Sequence, residues 1–403
     1  MKKRDFHKKR KELKFLIIIS VLSLILLAAS PAHGSDLNYP SFSKIGPVLE
    51  PIPASPLEDP GFSELVLISD EESEPFQKIQ ENINIIYTLI GIGAAALILL
   101  IYQYMASREQ ELIERPPKEL SPAKEQYLHR IWKITGLDEI DQEHFELVRI
   151  RLFTAIPVVC IALAELLIFA GKMKFAVWMH IVILIALSLS NIFIKDLKVY
   201  RIYQALMLLP ILRLVNLSMP VFFATTLYTF VFVYGPLLIP LAIIVINQRQ
   251  AFEQIGITKK NLLAYTILSI PLGFLLGLGE YLTIRTDYLI PDLSIGNLLK
   301  LAFIMVFFVG LVEEIIFRSI LQARLEQALN IREALLITGL LFGLMHSGYG
   351  TFYEVLYTGF VGLIIGFAFY KTRSLPFVTL VHGFVNVFLF GILPHYLSGW
   401  TGF

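Results

Sequence analysis

The chain has 403 residues, of which 56% are apolar and only 17% charged, with a formal net charge of +1. Soluble domains average roughly 45–50% apolar and 25% charged, so the composition excludes an ordinary water-soluble fold and points to a multi-pass membrane protein. No basic groove with interleaved aromatics is present, which excludes nucleic acid as a partner. The one cysteine, Cys160, excludes an intramolecular disulfide and reads as a small buried side chain in an apolar run.

Residues 1–14 (MKKRDFHKKRKELK) are densely basic and precede an apolar run, Phe15–Ala29, and the small residues of SPAHGS. This is the layout of a secretory signal peptide, with an uncleaved signal anchor as the alternative, over 1–34. Residues 35–80 are rich in Pro, Ser and acidic side chains and read as an extended extracytoplasmic leader. An additional transmembrane helix follows in 81–105. Residues 106–151 form a cytoplasmic connector, in which RPPKELSPAKEQ breaks helices and the rest suits short helices on the membrane surface. The front of the main bundle occupies 152–295, a catalytic core 296–393, and a short tail 394–403.

The expected fold is all-α, a polytopic transmembrane helical bundle of about ten spans. They fall at roughly 85–104, 152–170, 175–194, 202–214, 221–246, 262–282, 298–320, 334–346, 355–370 and 375–393. Span 202–214, which contains Pro210 and Arg213, is the weakest of them. With residues 1–14 inside, the inner loops collect Arg108, Lys118, Arg130, Lys195, Lys198, Arg201, Arg249, Lys259, Lys260, Arg324, Arg332, Lys371 and Arg373. The outer loops 347–354 and 394–403 carry neither Lys nor Arg, as the positive-inside rule requires. Lys44, Lys78, Lys172, Lys174 and Arg285 are exceptions. The expected location is the plasma membrane, with membrane lipid as the immediate partner.

Three polar motifs interrupt the last third. In GLVEEIIFRSIL, Glu313 and Glu314 sit at a depth where a charge costs at least ~2.5 kcal/mol. Glu314 and Arg318 are four apart on one helical face and can pair, whereas Glu313 points ~100° away without a local partner. Phe342-Gly-Leu-Met-His346 ends a span, and His382-Gly-Phe-Val-Asn386 again sets two polar side chains four apart. At ~1.5 Å per residue, Glu313, His346, His382 and Asn386 lie about 13, 21, 12 and 18 Å from the inner ends of their spans, one middle band of the bilayer. Gly359, Gly362 and Gly366 give a small face for close helix packing, joined by Gly339 and Gly343. His180, Glu165 and Glu280 lack a partner motif and read as packing or interface groups.

One carboxylate, two imidazoles and an amide suit hydrolysis. The carboxylate and one His can take a proton from water, while the other His and Asn386 donate to a developing oxyanion. Alternatively Glu313, His346 and His382 ligate Zn²⁺, which generates hydroxide at neutral pH. The residues alone leave this choice between zinc and no cofactor open.

Glu313-Glu314-x-x-x-Arg318, Phe342-x-x-x-His346 and His382-x-x-x-Asn386, in this order, resemble the motifs of the CAAX prenyl endopeptidase and bacteriocin-processing (CPBP, or Abi) family of intramembrane proteases. GFVGLIIGFAFYKTRSLPFVTLVHGFVNV resembles the family's approach to its last motif. The resemblance covers about 296–393. It implies a conical helical bundle with a cavity open to the cytoplasm and the lipid. It further implies that Glu313 and His346 activate water, that His382 and Asn386 hold the oxyanion, and that Glu314 and Arg318 shape the site. The substrate class would be membrane-associated or lipidated peptides. The rival functions are a proton-coupled transporter, in which Glu165 and Glu280 would join the pathway, and a non-catalytic scaffold or bacteriocin-immunity protein, which would tolerate Glu313→Gln.

Overall fold

Six helices of the computed structural model are long and apolar enough to cross a bilayer: Glu146–Phe169, Met173–Phe193, Leu262–Ile284, Ile295–Ala328, Phe352–Thr372 and Leu375–Leu397. The described residues are 93, 96–97, 99–114, 139–222, 226–247, 255–258 and 260–397, and no strand occurs among them. The chain divides into two units, Met1–Ile101 and Tyr102–Phe403, and the account below concerns the second. The signal segment 1–34, the leader 35–80, most of the extra span 81–105 and residues 398–403 of the tail lie outside the described residues.

Helix α1 runs through 102–114. Then follow α2 (Glu139–Phe169), α3 (Met173–Phe193), α4 (Leu197–Leu206), α5 (Leu208–Phe222), α6 (Thr229–Tyr234) and α7 (Leu238–Asn247). They are succeeded by α8 (Leu262–Ile284), α9 (Ile295–Ala328), α10 (Ile331–Leu344), α11 (Phe352–Thr372) and α12 (Leu375–Leu397). An all-α membrane bundle is therefore what the chain forms, and it is an integral membrane protein. Apolar side chains such as Phe175, Phe193, Leu263 and Leu299 stand exposed on the outside of the helices, the pattern expected where lipid is the solvent.

Not every expected span is a single long helix. Region 202–214 is divided between α4 and α5 at Met207, and region 221–246 between α6 and α7 at Gly235-Pro236-Leu237. Pro236 lacks the N–H that would continue the helical ladder. Region 334–346 is the 14-residue α10, about 21 Å long at the helical rise. The end of the connector also differs from short surface helices. Residues 139–151 run without a break into the first span as α2, helped by the i,i+3 pair of Glu146 with Arg149 at 2.6 Å. Cys160 on α2 is half-buried rather than enclosed.

Local sequence fixes the helix starts around the polar centre. Asn330, Thr351 and Ser374 each accept a bond from the backbone N–H three residues on, capping α10, α11 and α12. Arg373 takes a left-handed conformation that ends α11 just before the Ser374 cap. In the interior, α8 packs along α12 and α10 along α11. A Cβ on Gly343 would lie 2.4 Å from the Val355 carbonyl oxygen, so only glycine allows α10 and α11 to approach this closely. Between α8, α11 and α12 lies an apolar core of Leu276, Val361, Ile365, Phe369, Val378 and Val381.

A ring of polar tethers closes one end of the unit. Arg108 donates to the carbonyls of Asn191 and Ile194, both at 3.2 Å, and Tyr200 donates to the Met105 carbonyl. Arg324 donates to the Arg201 carbonyl at 2.7 Å. These bonds tie α1 to the end of α3 and to α4, and α4 to the end of α9, in a region rich in the inner-loop arginines.

Candidate functional site

The centre of the site is α9, and its backbone is unusual there. Ile304–Gly310 and Ile315–Gln322 are wound as π-helix, and the four residues Leu311–Glu314 between them are α-helical. Wide turns of this kind are rare and concentrate at functional positions. They carry Glu313 and Glu314 into the interior, where they are 7% and 0% exposed.

Glu314 pairs with Arg318, Nε to Oε2 at 3.1 Å, as the i,i+4 spacing predicts. Arg318 also donates to the Gly362 carbonyl at 3.1 Å, and its guanidinium carbon lies 4.6 Å from the centre of the Phe342 ring. Glu314 is occupied on its other side as well. Its Oε1 accepts from His382 Nδ1 at 2.8 Å. A carboxylate held by Arg318 can only accept, so Nδ1 carries the proton and Nε2 turns the other way. There it meets Glu313, whose Oε2 lies 3.8 Å from Nε2. The imidazole thus stands between the two adjacent glutamates, one at each nitrogen.

Glu313 has a partner that its own helix could not reveal. Tyr234, at the end of α6 and buried, donates its hydroxyl to Glu313 Oε1. His346 follows the end of α10, where its Nδ1 donates to the Phe342 carbonyl at 2.9 Å. Its Nε2 is consequently the nitrogen left with a lone pair. The Phe342 ring lies 5.1 Å from the His346 ring and 5.7 Å from the His382 ring, so one aromatic side chain packs against both imidazoles. Gly362 makes room for it, since a Cβ there would come within 3.0 Å of Phe342. Asn386 sits one turn beyond His382 on α12 and is 7% exposed.

The three expected motifs therefore meet through Phe342 and His382. Glycines 359 and 362 face α10: a Cβ on Gly359 would lie 3.5 Å from the Gly339 carbonyl oxygen, and Gly362 lies against Phe342. Gly366 instead faces the Gln322 amide of α9, 2.9 Å from where a Cβ would stand.

Glu165, Glu280 and His180, which lack a partner motif in the sequence, find buried ionisable neighbours from other helices. Glu280 and Glu354 are both buried, 5% and 0% exposed, and their carboxyls act on one another electrostatically. Glu165 on α2 is bound by Arg213 on α5 through two bonds, Nε to Oε1 at 2.9 Å and Nη2 to Oε2 at 2.6 Å. His180 Nε2 lies 3.3 Å from the same carboxylate. A signal for the second pair was present. An arginine and a glutamate in separate apolar spans, each without a local partner, are expected to find one another. No sequence feature singled out Tyr234 from the other 16 tyrosines.

For zinc, the donor set must supply three or four converging ligands. Among the described residues no three His, Cys, Asp or Glu side chains come together as ligands of one ion. Glu313 Oε1 is taken by Tyr234, and His382 Nδ1 by Glu314. This arrangement does not fit the metal. What it offers is proton handling: a carboxylate oxygen, two imidazole Nε2 atoms and a primary amide, with Glu313, His382 and Asn386 buried and His346 half-buried.

Comparison with protein families gives one match. Residues 295–388 match the family described as type II CAAX prenyl endopeptidase Rce1-like. The matched stretch contains Glu313, Glu314, Arg318, Phe342, His346, His382 and Asn386 and excludes Glu165, Arg213 and Tyr234. Comparison of the chain with curated proteins and with solved structures returns no match.

Proposed function

We propose that this chain, whose residues 295–388 match the Rce1-like family, cleaves membrane-associated peptides with the Glu313–His346–His382–Asn386 constellation. A CAAX-type intramembrane protease is the general activity that the family supports. The single observation carrying the specific reading is the His382 imidazole set between Glu314 and Glu313.

In this reading Glu313 takes a proton from water as the water oxygen attacks the scissile carbonyl carbon, with His346 Nε2 as the second acceptor orienting that water. His382 Nε2 and the Asn386 amide donate to the oxyanion that forms. For Nε2 to donate, the ring must carry both protons, and that form needs an acceptor at Nδ1, which is Glu314. When the C–N bond breaks, Glu313 returns its proton to the leaving amine. Arg318 and Phe342 hold the parts in place, and Tyr234 fixes the Glu313 carboxylate by its other oxygen. The substrate would be a lipid-anchored segment of the prenylated CAAX type, delivered from the bilayer through the apolar outer face. Membrane lipid and such a peptide are the partners this implies.

Reconstituted vesicles with a farnesylated peptide test the reading. Wild type should cleave it, and Glu313→Gln and His346→Ala should each lose at least about a thousandfold, as expected for groups that act as one unit. Cleavage unaffected by both substitutions would remove the assignment.

One observation favours a second reading, proton-coupled transport: Glu280 and Glu354 are two buried carboxyl groups within the bundle. Glu165, the other candidate for such a pathway, is committed to Arg213. Proton flux into the same vesicles, with Glu354→Gln beside wild type, separates the two functions.

A further inference from the structure

The Glu165–Arg213 pair poses an energetic puzzle. Glu165 is 0% and Arg213 4% exposed, and a buried ion pair is often no more stable than apolar side chains of the same volume. Its retention within a membrane bundle calls for a role, and its remaining bonds indicate which one. Arg213 Nη2, besides binding Glu165, donates to the carbonyl oxygen of Met345. Glu165 Oε2, besides binding Arg213, accepts from the Ser347 hydroxyl at 2.8 Å. The residue between Met345 and Ser347 is His346.

From this we infer that Glu165, Arg213 and Ser347 are positioning residues for His346. They clamp the turn that carries it from both sides and fix the direction in which its ring leaves the backbone. The inference rests on the protease reading, in which His346 acts on water.

Three features support a clamp rather than general glue. The bonds from the pair to the turn fall on the two immediate neighbours of His346, and one of them is a backbone carbonyl, so the chain itself is held. The turn itself is short. It is a single 3-10 turn, Ser347–Tyr349, ending in Gly350 at φ +75°, between α10 and α11. The anchors, by contrast, stand on long packed helices. Glu165 lies near the end of α2, with His180 of α3 at 3.3 Å on its other oxygen, and Arg213 lies within α5. The His346 ring then needs only its own bond to the Phe342 carbonyl to fix its rotation. Glu165 and Arg213 lie outside the stretch matched by the protease family, so the front of the bundle would contribute to the chemistry of the rear.

The test combines hydrogen exchange with kinetics on the full chain in vesicles, comparing wild type, Ser347→Ala, Arg213→Lys and Glu313→Gln. Ser347→Ala removes one tether with little change of volume. Arg213→Lys keeps the charge and loses the fork. The amides of Tyr349 and Gly350 bond to the His346 and Ser347 carbonyls and report on the turn. Both clamp variants should speed their exchange by about tenfold or more while amides of α12 stay as in wild type. Cleavage of a farnesylated peptide should show kcat reduced about 10-fold in Ser347→Ala and about 100-fold in Arg213→Lys, with KM within twofold, the scale expected for a misplaced reacting group. Unchanged exchange and kcat in both variants would overturn the clamp. So would exchange that rises equally throughout the bundle, because the pair would then be general stabilisation. A wild type no faster than Glu313→Gln would overturn the protease reading itself, an outcome distinct from failure of the clamp.

Discussion

Replacing Tyr234 by Phe removes one oxygen and leaves the ring in its buried place, so it isolates the hydroxyl's bond to Glu313. A hydrogen bond to a charged group contributes about 1.5–3 kcal/mol, which at 1.36 kcal/mol per decade corresponds to roughly 10- to 150-fold in rate if all of it bears on the transition state. The lower part of that range is expected here. Glu313 keeps its approach to His382 Nε2 through Oε2 at 3.8 Å, so the carboxylate loses one of two restraints. The expected outcome is a kcat about 10- to 30-fold below wild type with KM within twofold, measured as release of a fluorescent prenylated peptide product from vesicles. A variant with wild-type kcat would refute the idea that Tyr234 orients Glu313. A loss as deep as that of Glu313→Gln would refute it in the other direction, because the hydroxyl would then be taking part in the reaction itself.

Other outcomes follow from the same geometry. Glu314→Gln strips Arg318 of its anion and leaves one acceptor oxygen where two served Arg318 and His382, and should destabilise the fold by about 3–5 kcal/mol. The double variant Glu314→Gln/Arg318→Met should recover folding, read by thermal unfolding in detergent, without recovering cleavage. Gly343→Ala sets a Cβ 2.4 Å from the Val355 carbonyl and 2.8 Å from the Gly359 amide nitrogen, so α10 and α11 must part at a cost of about 1–3 kcal/mol or more, seen as a lower unfolding temperature. Cleavage should survive treatment with a strong zinc chelator, since the side chains do not converge as metal ligands. Activity lost to the chelator and restored by zinc would refute that.

The sequence made the bundle and its polar centre legible for different reasons. Apolar composition and span length identify membrane helices because hydrocarbon imposes one solution on the backbone. The Glu314–Arg318 pair was legible because both residues lie on one helix, where spacing fixes proximity. His382 between two carboxylates was not, since it depends on how α12 docks against α9. Straight helical geometry sends Glu313 and Glu314 about 100° apart, and only a side chain entering between them can touch both. Tyr234 was hidden for the same reason, arriving from α6, 79 residues away in the chain. Arg213 was in plain view as an anomaly that weakened its span. Its meaning appears only when it is set beside the equally unpartnered Glu165, a pairing that hydropathy does not suggest.

The wide turns of α9 have a consequence for how this chain can change. A π turn holds one residue more than the α turn it replaces, so losing a residue from Ile304–Gly310 would allow ordinary winding to return. The helix would still be long, apolar and suited to a bilayer, and insertion into the membrane would proceed. Glu313 and Glu314 would keep their direction, because the wide turn had absorbed the residue removed, whereas a residue added without a further wide turn would rotate them by about 100° relative to the helix before it, away from Tyr234 and His382. A single-residue insertion in this stretch should therefore silence a protein that still reaches its membrane while a deletion is tolerated far better, an asymmetry that substitution scanning would never reveal.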